Sequence, residues 1–246
     1  MSCTPTPVDL SLLIPEEIWE PNKDVIDAFN ARAIPFAAGG GLAFSNYSCR
    51  LRATKDVDFY VTPDNKDRAI QALRETGYED YFDRKDYDRS WIFRGCQEEI
   101  IVDIIWTAPN HRMQVDDIWI HGGPEVEVRG TCVPLLPAEE FLWSKLFVMQ
   151  RDRCDWPDIM NVLYARGELL DWDRFIMRVG PDAPLLGGVL STYRWLAPER
   201  AAKLPSWIWE KVGLSRNWPE TTSEWSADRV HLLDTRDWFG PKESID

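Results

Sequence analysis

The residues best suited to chemistry are two aspartates one position apart, Asp56 and Asp58, downstream of three consecutive glycines, Gly39, Gly40 and Gly41. Alternation along a strand puts Asp56, Asp58 and Tyr60 on one face and Val57, Phe59 and Val61 on the other. Two carboxylates held side by side repel each other unless a cation lies between them. Hard oxygen ligands of this kind suit Mg²⁺, which keeps several waters and takes further ligands from substrate phosphates. Glycines at the start of a helix let backbone N–H groups approach a phosphate closely. The set suits metal-assisted phosphoryl or nucleotidyl transfer. Each piece also has a plainer reading: the glycines as a flexible turn, and the aspartates as the solvent face of a strand.

Asp103 interrupts an otherwise apolar run, Ile100-Ile-Val-Asp-Ile-Ile-Trp106. A charge there must be paired, metal-bound, neutral or at the solvent-facing end of its strand. A structural salt bridge and a metal role both meet that condition. Three carboxylates on adjacent strands could cup two divalent ions.

The elements that must position these residues follow from periodicity and turn chemistry. Residues 1–21 read as irregular, and Asn22 to Ala33 as a helix. A strand over Ile34 to Ala38 leads into the glycines and a short helix, then a second strand over Val57 to Val61. Asp64 is expected to cap a helix reaching Gly77, and residues 78–90 to form a loop with some extended pairing. Trp91 to Arg94 and Ile100 to Trp106 read as a hairpin joined by Gly95-Cys-Gln-Glu-Glu99. Weaker strands are expected at Ile118 to His121 and over Val126 to Val133. From Pro137 the pattern turns helical: Ala138 to Arg151, Asp158 to Gly167 after a break at Pro157, Asp171 to Val179, and Leu185 to Leu196. These divide the chain into an α/β domain over residues 1–134 and a helical domain over residues 135–246.

Composition narrows the function classes. Hydrophobic content of 44% and charged content of 28% are those of a globular chain with ample length for a core. No apolar run reaches membrane-spanning length and the N-terminus lacks signal-peptide regions, so a cytoplasmic protein with no membrane partner is expected. The cysteines, five and scattered, form no C-x-x-C pair, which argues against a disulfide framework or a structural zinc site. With 41 acidic against 28 basic side chains, the net charge of −13 weighs against a large nucleic-acid footprint. The tail interleaves Trp195, Trp207, Trp209, Trp218, Trp225 and Trp238 with basic residues, a pattern that can stack bases but more often fills a core or an interface.

As a set, Gly40-Gly41, Arg52-x-Thr54-x-Asp56-Val-Asp58-Phe59 and Asp103 resemble the signature of the polymerase-β-like nucleotidyltransferase superfamily. The motif form is most similar to minimal and AbiEii-type toxin nucleotidyltransferases. Lys145 and the Arg/Asp-rich segment from Arg151 to Asp158 resemble the family's following helical element. The resemblance implies an α+β fold, with a mixed sheet flanked by helices and then a mostly helical C-terminal region. It implies Asp56, Asp58 and Asp103 as catalytic and metal-binding residues, with Asp103 helping to activate the attacking hydroxyl. It places Gly39, Gly40, Gly41, Arg52, Thr54 and Lys145 at the nucleotide. It implies Mg²⁺ or Mn²⁺ as cofactor, an NTP donor, and an RNA, protein or small-molecule acceptor; a toxin-like member would also have a cognate antitoxin protein. The family's third glycine-motif position is usually Ser or Thr, and here it is Gly41. For Lys145 the alternative is a helix lysine snorkelling from an apolar face. For the chain as a whole it is a non-catalytic nucleotide- or partner-binding module on the same fold.

Overall fold

The computed structural model describes residues 8–54, 56–216, 229, 230, 232, 233 and 239. It divides into two compact units, one of residues 8–46 with 51–137, the other of residues 47–50 with the described residues from 138 onward.

The first unit is built on a five-stranded mixed sheet. Its elements run α1 (Glu16–Ala31), β1 (Ala37–Ala38), α2 (Gly40–Ser48, whose last two residues fall in the other unit), β2 (Asp56–Tyr60), α3 (Lys66–Glu75), β3 (Glu79–Asp80), β4 (Ile92–Gln97), β5 (Ile100–Ile105), α4 (Asp117–His121), β6 (Glu125–Val128) and β7 (Thr131–Pro134). The strand order is β1-β2-β5-β4-β3, with β6 and β7 a separate hairpin. Only β2 and β5 run parallel; the pairs β1–β2, β4–β5 and β3–β4 are antiparallel.

Strand β2 alternates as its sequence requires. Val57 and Phe59 are buried, Asp56 is exposed, and Asp58 and Tyr60 are half-buried. Behind the aspartates, Phe59 packs edge-on against Phe29 and Phe36, with ring centroids 5.5 Å apart in both pairs. Phe29 and Phe36 close the triangle at 5.4 Å. Each ring therefore meets the other two in the favoured edge-to-face geometry. Phe29→Ala is expected to lower unfolding stability by about 3–5 kcal/mol, the cost of deleting a buried aromatic. Urea denaturation checks this, and a loss under about 1 kcal/mol would mean the triangle is not a structural keystone.

Several elements differ from the sequence expectation. Helix α1 begins at Glu16 rather than at Asn22 and carries Pro21 inside it. The burial of Trp19, Asn22, Ile26 and Phe29 at helical spacing offsets the one backbone bond that Pro21 forgoes. Asp64 is not a cap: it lies within a 3₁₀ turn over Pro63–Asn65, and α3 has no side-chain cap bond. Ile118 to His121 is helical, because Asp116 accepts hydrogen bonds from the Ile118 and Trp119 amides at 3.0 and 3.3 Å. In the β4–β5 hairpin, Gly95, Cys96 and Gln97 belong to the strand, leaving only Glu98 and Glu99 as the loop. Glu98 takes the left-handed conformation that a tight hairpin demands, at φ 53°.

The second unit is helical: α5 (Ala138–Leu146), α6 (Trp156–Arg166), α7 (Trp172–Val179), α8 (Ala183–Leu196), α9 (Pro198–Ala201) and α10 (Trp207–Lys211). Helix α5 stops short of Arg151, where the chain turns back through hydrogen bonds from Gln150 N to Arg153 O and from Asp155 N to Val148 O. Pro157 does not break a helix; it sits in the first turn of α6, where a missing N–H costs nothing. Buried Glu139 and Glu140 in α5 are met by Arg174 and Arg178 of α7, so the α5–α7 contact carries its own charge balance. In the tail, Arg194 stacks on buried Trp209 at 4.5 Å and Arg229 on Trp195 at 5.4 Å, so these rings serve internal packing. Trp218, Trp225 and Trp238 lie outside the described residues. Among the described residues no helix is long and apolar enough to cross a membrane, and Cys49, Cys96, Cys132 and Cys154 are free thiols.

Candidate active site

The three glycines each make room for a different neighbour. A Cβ on Gly39 would stand 2.3 Å from the Tyr60 ring and 2.6 Å from Leu136. One on Gly40 would fall 1.8 Å from Asp58 Oδ2, and one on Gly41 2.8 Å from the Thr54 Cβ. Gly40 also adopts φ +51°, a left-handed conformation disfavoured for other residues. The turn is thus tightly packed. The usual Ser or Thr at position 41 has no space here, because Thr54 fills it. The backbone adds a tie, Gly39 N donating to Asp58 O at 2.9 Å.

Thr54 fixes the entry to β2, its hydroxyl donating to Asp56 O at 2.9 Å. Arg52 lays its guanidinium over the Phe44 ring of α2 at 4.1 Å. On the carboxylate face of β2, Tyr60 stacks on Trp119 of α4, with centroids 5.5 Å apart.

Parallel pairing sets Asp58 directly beside Asp103 in β5, and antiparallel pairing sets Asp103 beside Arg94 in β4. The aspartate Asp103 is 3% exposed and gripped side-on. Arg94 Nε donates to its Oδ1 at 2.8 Å and Arg94 Nη2 to its Oδ2 at 2.6 Å. Burial pushes the Asp103 carboxyl above its ordinary range; Arg94 opposes that and nearby Asp56 adds to it. The hydrogen bonds to Asp103 hold the Arg94 guanidinium above its ordinary range, with Asp56 and Asp58 contributing.

The structure therefore gathers Gly39, Gly40, Gly41, Thr54, Asp56, Asp58 and Asp103 around the adjacent strands β2 and β5. Asp103, however, is engaged by an arginine. Among the described residues no group of three or more His, Cys, Asp or Glu side chains is arranged to hold a metal ion. Mg²⁺ needs only one or two protein carboxylates when phosphates and water complete its shell, and Asp56 with Asp58 meets that requirement. Arg94 was missed in the sequence. Counting back from a two-residue turn at Glu98-Glu99 would have placed it opposite Asp103.

Lys145 lies in the helical unit and is charge-paired there, with Nζ 2.7 Å from Asp155 Oδ2 and 3.5 Å from Asp158 Oδ2. Burial pushes the Asp155 carboxyl up, but Arg153 and Lys145 together hold it below its ordinary range.

A family model described as an uncharacterised nucleotidyltransferase matches residues 20–180, a span that holds every residue of this constellation. The chain belongs to this nucleotidyltransferase family. It is an enzyme of nucleotidyl transfer. No curated protein sequence matches the chain significantly. Among solved structures, the chain is similar to ANT(2″)-Ia in complex with adenylyl-2″-tobramycin, at 16% identity and TM-score 0.48 over 67% of this chain and 96% of that one. It is similar to the lincosamide antibiotic adenylyltransferase LnuA, at 16% identity and TM-score 0.42 over 62% and 98%. An antigenic nucleotidyltransferase-like protein from Paracoccidioides brasiliensis matches at 15% identity and TM-score 0.46 over 83% and 100%.

Proposed function

We propose that this nucleotidyltransferase transfers a nucleoside monophosphate from an NTP to a hydroxyl on a small molecule or protein, with Mg²⁺ or Mn²⁺ held by Asp56 and Asp58. The observation that carries this reading is the seating of Asp58 against Gly40, whose absent side chain leaves the space that Asp58 Oδ2 occupies. A glycine turn and a metal-type carboxylate pair are thereby locked together. When bound, the ion supplies charge neutralisation at the triphosphate.

The chain's own groups do the rest. Amides of Gly40 and Gly41 approach the phosphates at the start of α2. Thr54 and the Arg52–Phe44 stack hold the entry to β2. The acceptor hydroxyl attacks the α-phosphorus, a new O–P bond forms as its proton passes to water, the α–β phosphoanhydride bond breaks, and pyrophosphate leaves. A net charge of −13 favours a small-molecule or protein acceptor over RNA, whose backbone would need matching cations.

The test is incubation of the protein with each α-labelled NTP, Mg²⁺ and soluble cell extract or total RNA. Label is expected on a small molecule or a protein; label confined to RNA would overturn the acceptor assignment. Label nowhere, with every NTP tried, would overturn the proposed reaction. Excess EDTA is expected to reduce transfer to background, and Mg²⁺ added beyond the chelator to restore it. Full activity in EDTA would exclude Asp56 and Asp58 as ligands of an essential ion.

A further inference from the structure

We propose that Tyr60 is a positioning residue of the nucleotidyl-transfer site: its ring, backed by Trp119, fills the place of a side chain at Gly39 and so sets the glycine turn against Asp58. The proposal rests on the reading of this site as an NTP site. It adds a residue that acts on the turn rather than on the substrate.

Register supplies the placement. Antiparallel pairing of β1 with β2 sets Ala37 opposite Tyr60 and Ala38 opposite Phe59. The hydrogen bond from Gly39 N to Asp58 O carries that pairing one residue further. Gly39, Asp58 and Tyr60 therefore share the carboxylate face, while Phe59 points to the other. On that face a Cβ at position 39 would lie 2.3 Å from Tyr60 Cε2 and 3.0 Å from Tyr60 Cδ2, so the ring edge stands where the side chain would be. The next residue is Gly40, whose Cβ position Asp58 Oδ2 overlaps. A shift of the ring thus reaches the carboxylate through two consecutive glycines.

Packing supplies the hold. Trp119 stacks on the Tyr60 ring with the two planes 25° apart, and is itself only 2% exposed. On the opposite flank of β1, Leu136 N donates to Ala38 O at 3.0 Å, and Leu136 Cδ2 lies 2.6 Å from the same Cβ position at Gly39. Gly39 is therefore gripped from two sides. Neither Tyr60 nor Trp119 belongs to the main apolar cluster, which gathers Phe29, Phe36, Phe59, Val102 and Ile104. That core is assembled without the stack, so what the stack fixes is the turn. Glycine has the widest backbone freedom of any residue, and three in a row need an outside guide to keep one path. Amides that must meet phosphate oxygens act best when such a guide holds them in place beforehand.

The experiment is equilibrium binding of each α-labelled NTP with Mg²⁺, at a temperature where thermal denaturation shows each protein folded. The proteins are the wild type, Tyr60→Phe, Tyr60→Leu, Trp119→Leu, Gly39→Ala, the Tyr60→Leu/Gly39→Ala double variant and Phe29→Leu. Tyr60→Leu and Trp119→Leu are each expected to weaken NTP binding by about tenfold, the effect of losing one hydrogen bond to a charged oxygen. Tyr60→Phe keeps the ring and is expected to recover most of that affinity. Gly39→Ala pushes on the ring and is expected to match the loss in Tyr60→Leu. The double variant should bind no more weakly than either single one, because both act through one contact. Phe29→Leu, in the core on the other face, is expected to lower the melting temperature and leave NTP affinity unchanged. An affinity within about twofold of wild type in Tyr60→Leu or Trp119→Leu would overturn the proposal. So would a loss in Tyr60→Phe as large as in Tyr60→Leu, or fully additive losses in the double variant. If Tyr60→Leu does not fold, Trp119→Leu carries the test; if neither folds, the stack is a stability element and the proposal fails. Absence of NTP binding in the wild type would instead overturn the underlying NTP-site reading, and the proposal with it.

Discussion

Asp58→Asn is expected to reduce nucleotidyl transfer by about a thousandfold or more, because a metal ion at phosphoryl oxygens supplies several kcal/mol of transition-state stabilisation. The substitution keeps the shape of the side chain and removes one of the two charges that would hold the ion. Its position makes the effect specific. Asp58 sits between the Gly40 turn and Asp103, so both neighbours hold it in place whatever its charge. Folding should therefore survive. Transfer of label from α-labelled NTP, read beside thermal denaturation, checks both halves. A fall of less than tenfold would remove Asp58 from the metal site.

Gly40→Ala is the second large effect, and it separates packing from backbone strain. The added Cβ would lie 1.8 Å from Asp58 Oδ2, so the carboxylate must move. Displacing a reacting group by about 1 Å can cost on the order of a hundredfold in rate. The left-handed φ of +51° adds about 1–2 kcal/mol of destabilisation. Gly130 provides the control: its φ is +77°, yet a Cβ there would meet nothing within 4 Å. Gly130→Ala is expected to lose stability alone, while Gly40→Ala loses stability and activity together. Equal activities for the two variants would show that the contact with Asp58 is not needed for transfer.

How much of this was legible in the chain depends on the range of the interaction that decides each feature. The alternation of Asp56-Val57-Asp58-Phe59-Tyr60 is local, and the structure reproduces it: apolar side chains buried, polar ones toward the site. The hairpin carrying Asp103 was equally readable, since apolar runs on either side of a short polar link specify it. Helix α1 was cut short in the sequence reading because Pro21 outweighs Trp19 when only local preference is considered. In the fold, Trp19 is fully buried and the helix continues through the proline. The α4 segment failed for a related reason. Ile118-Trp119-Ile120 looks like a strand until Asp116 caps it, and the resulting helix turns Trp119 onto Tyr60.

The sequence by itself determined the chemistry on offer: paired carboxylates on a strand, glycines before a helix, and a lone aspartate in an apolar strand. Those depend on residue type and on spacing of a few positions, which the covalent chain fixes. Only the tertiary structure decided what each residue faces. It showed that three glycines answer to Tyr60 with Leu136, Asp58 and Thr54, and that Asp103 answers to Arg94. The physical reason is register. Strand pairing brings residues far apart in the chain to within hydrogen-bonding distance, and a shift of one position would turn every one of these side chains to the opposite face.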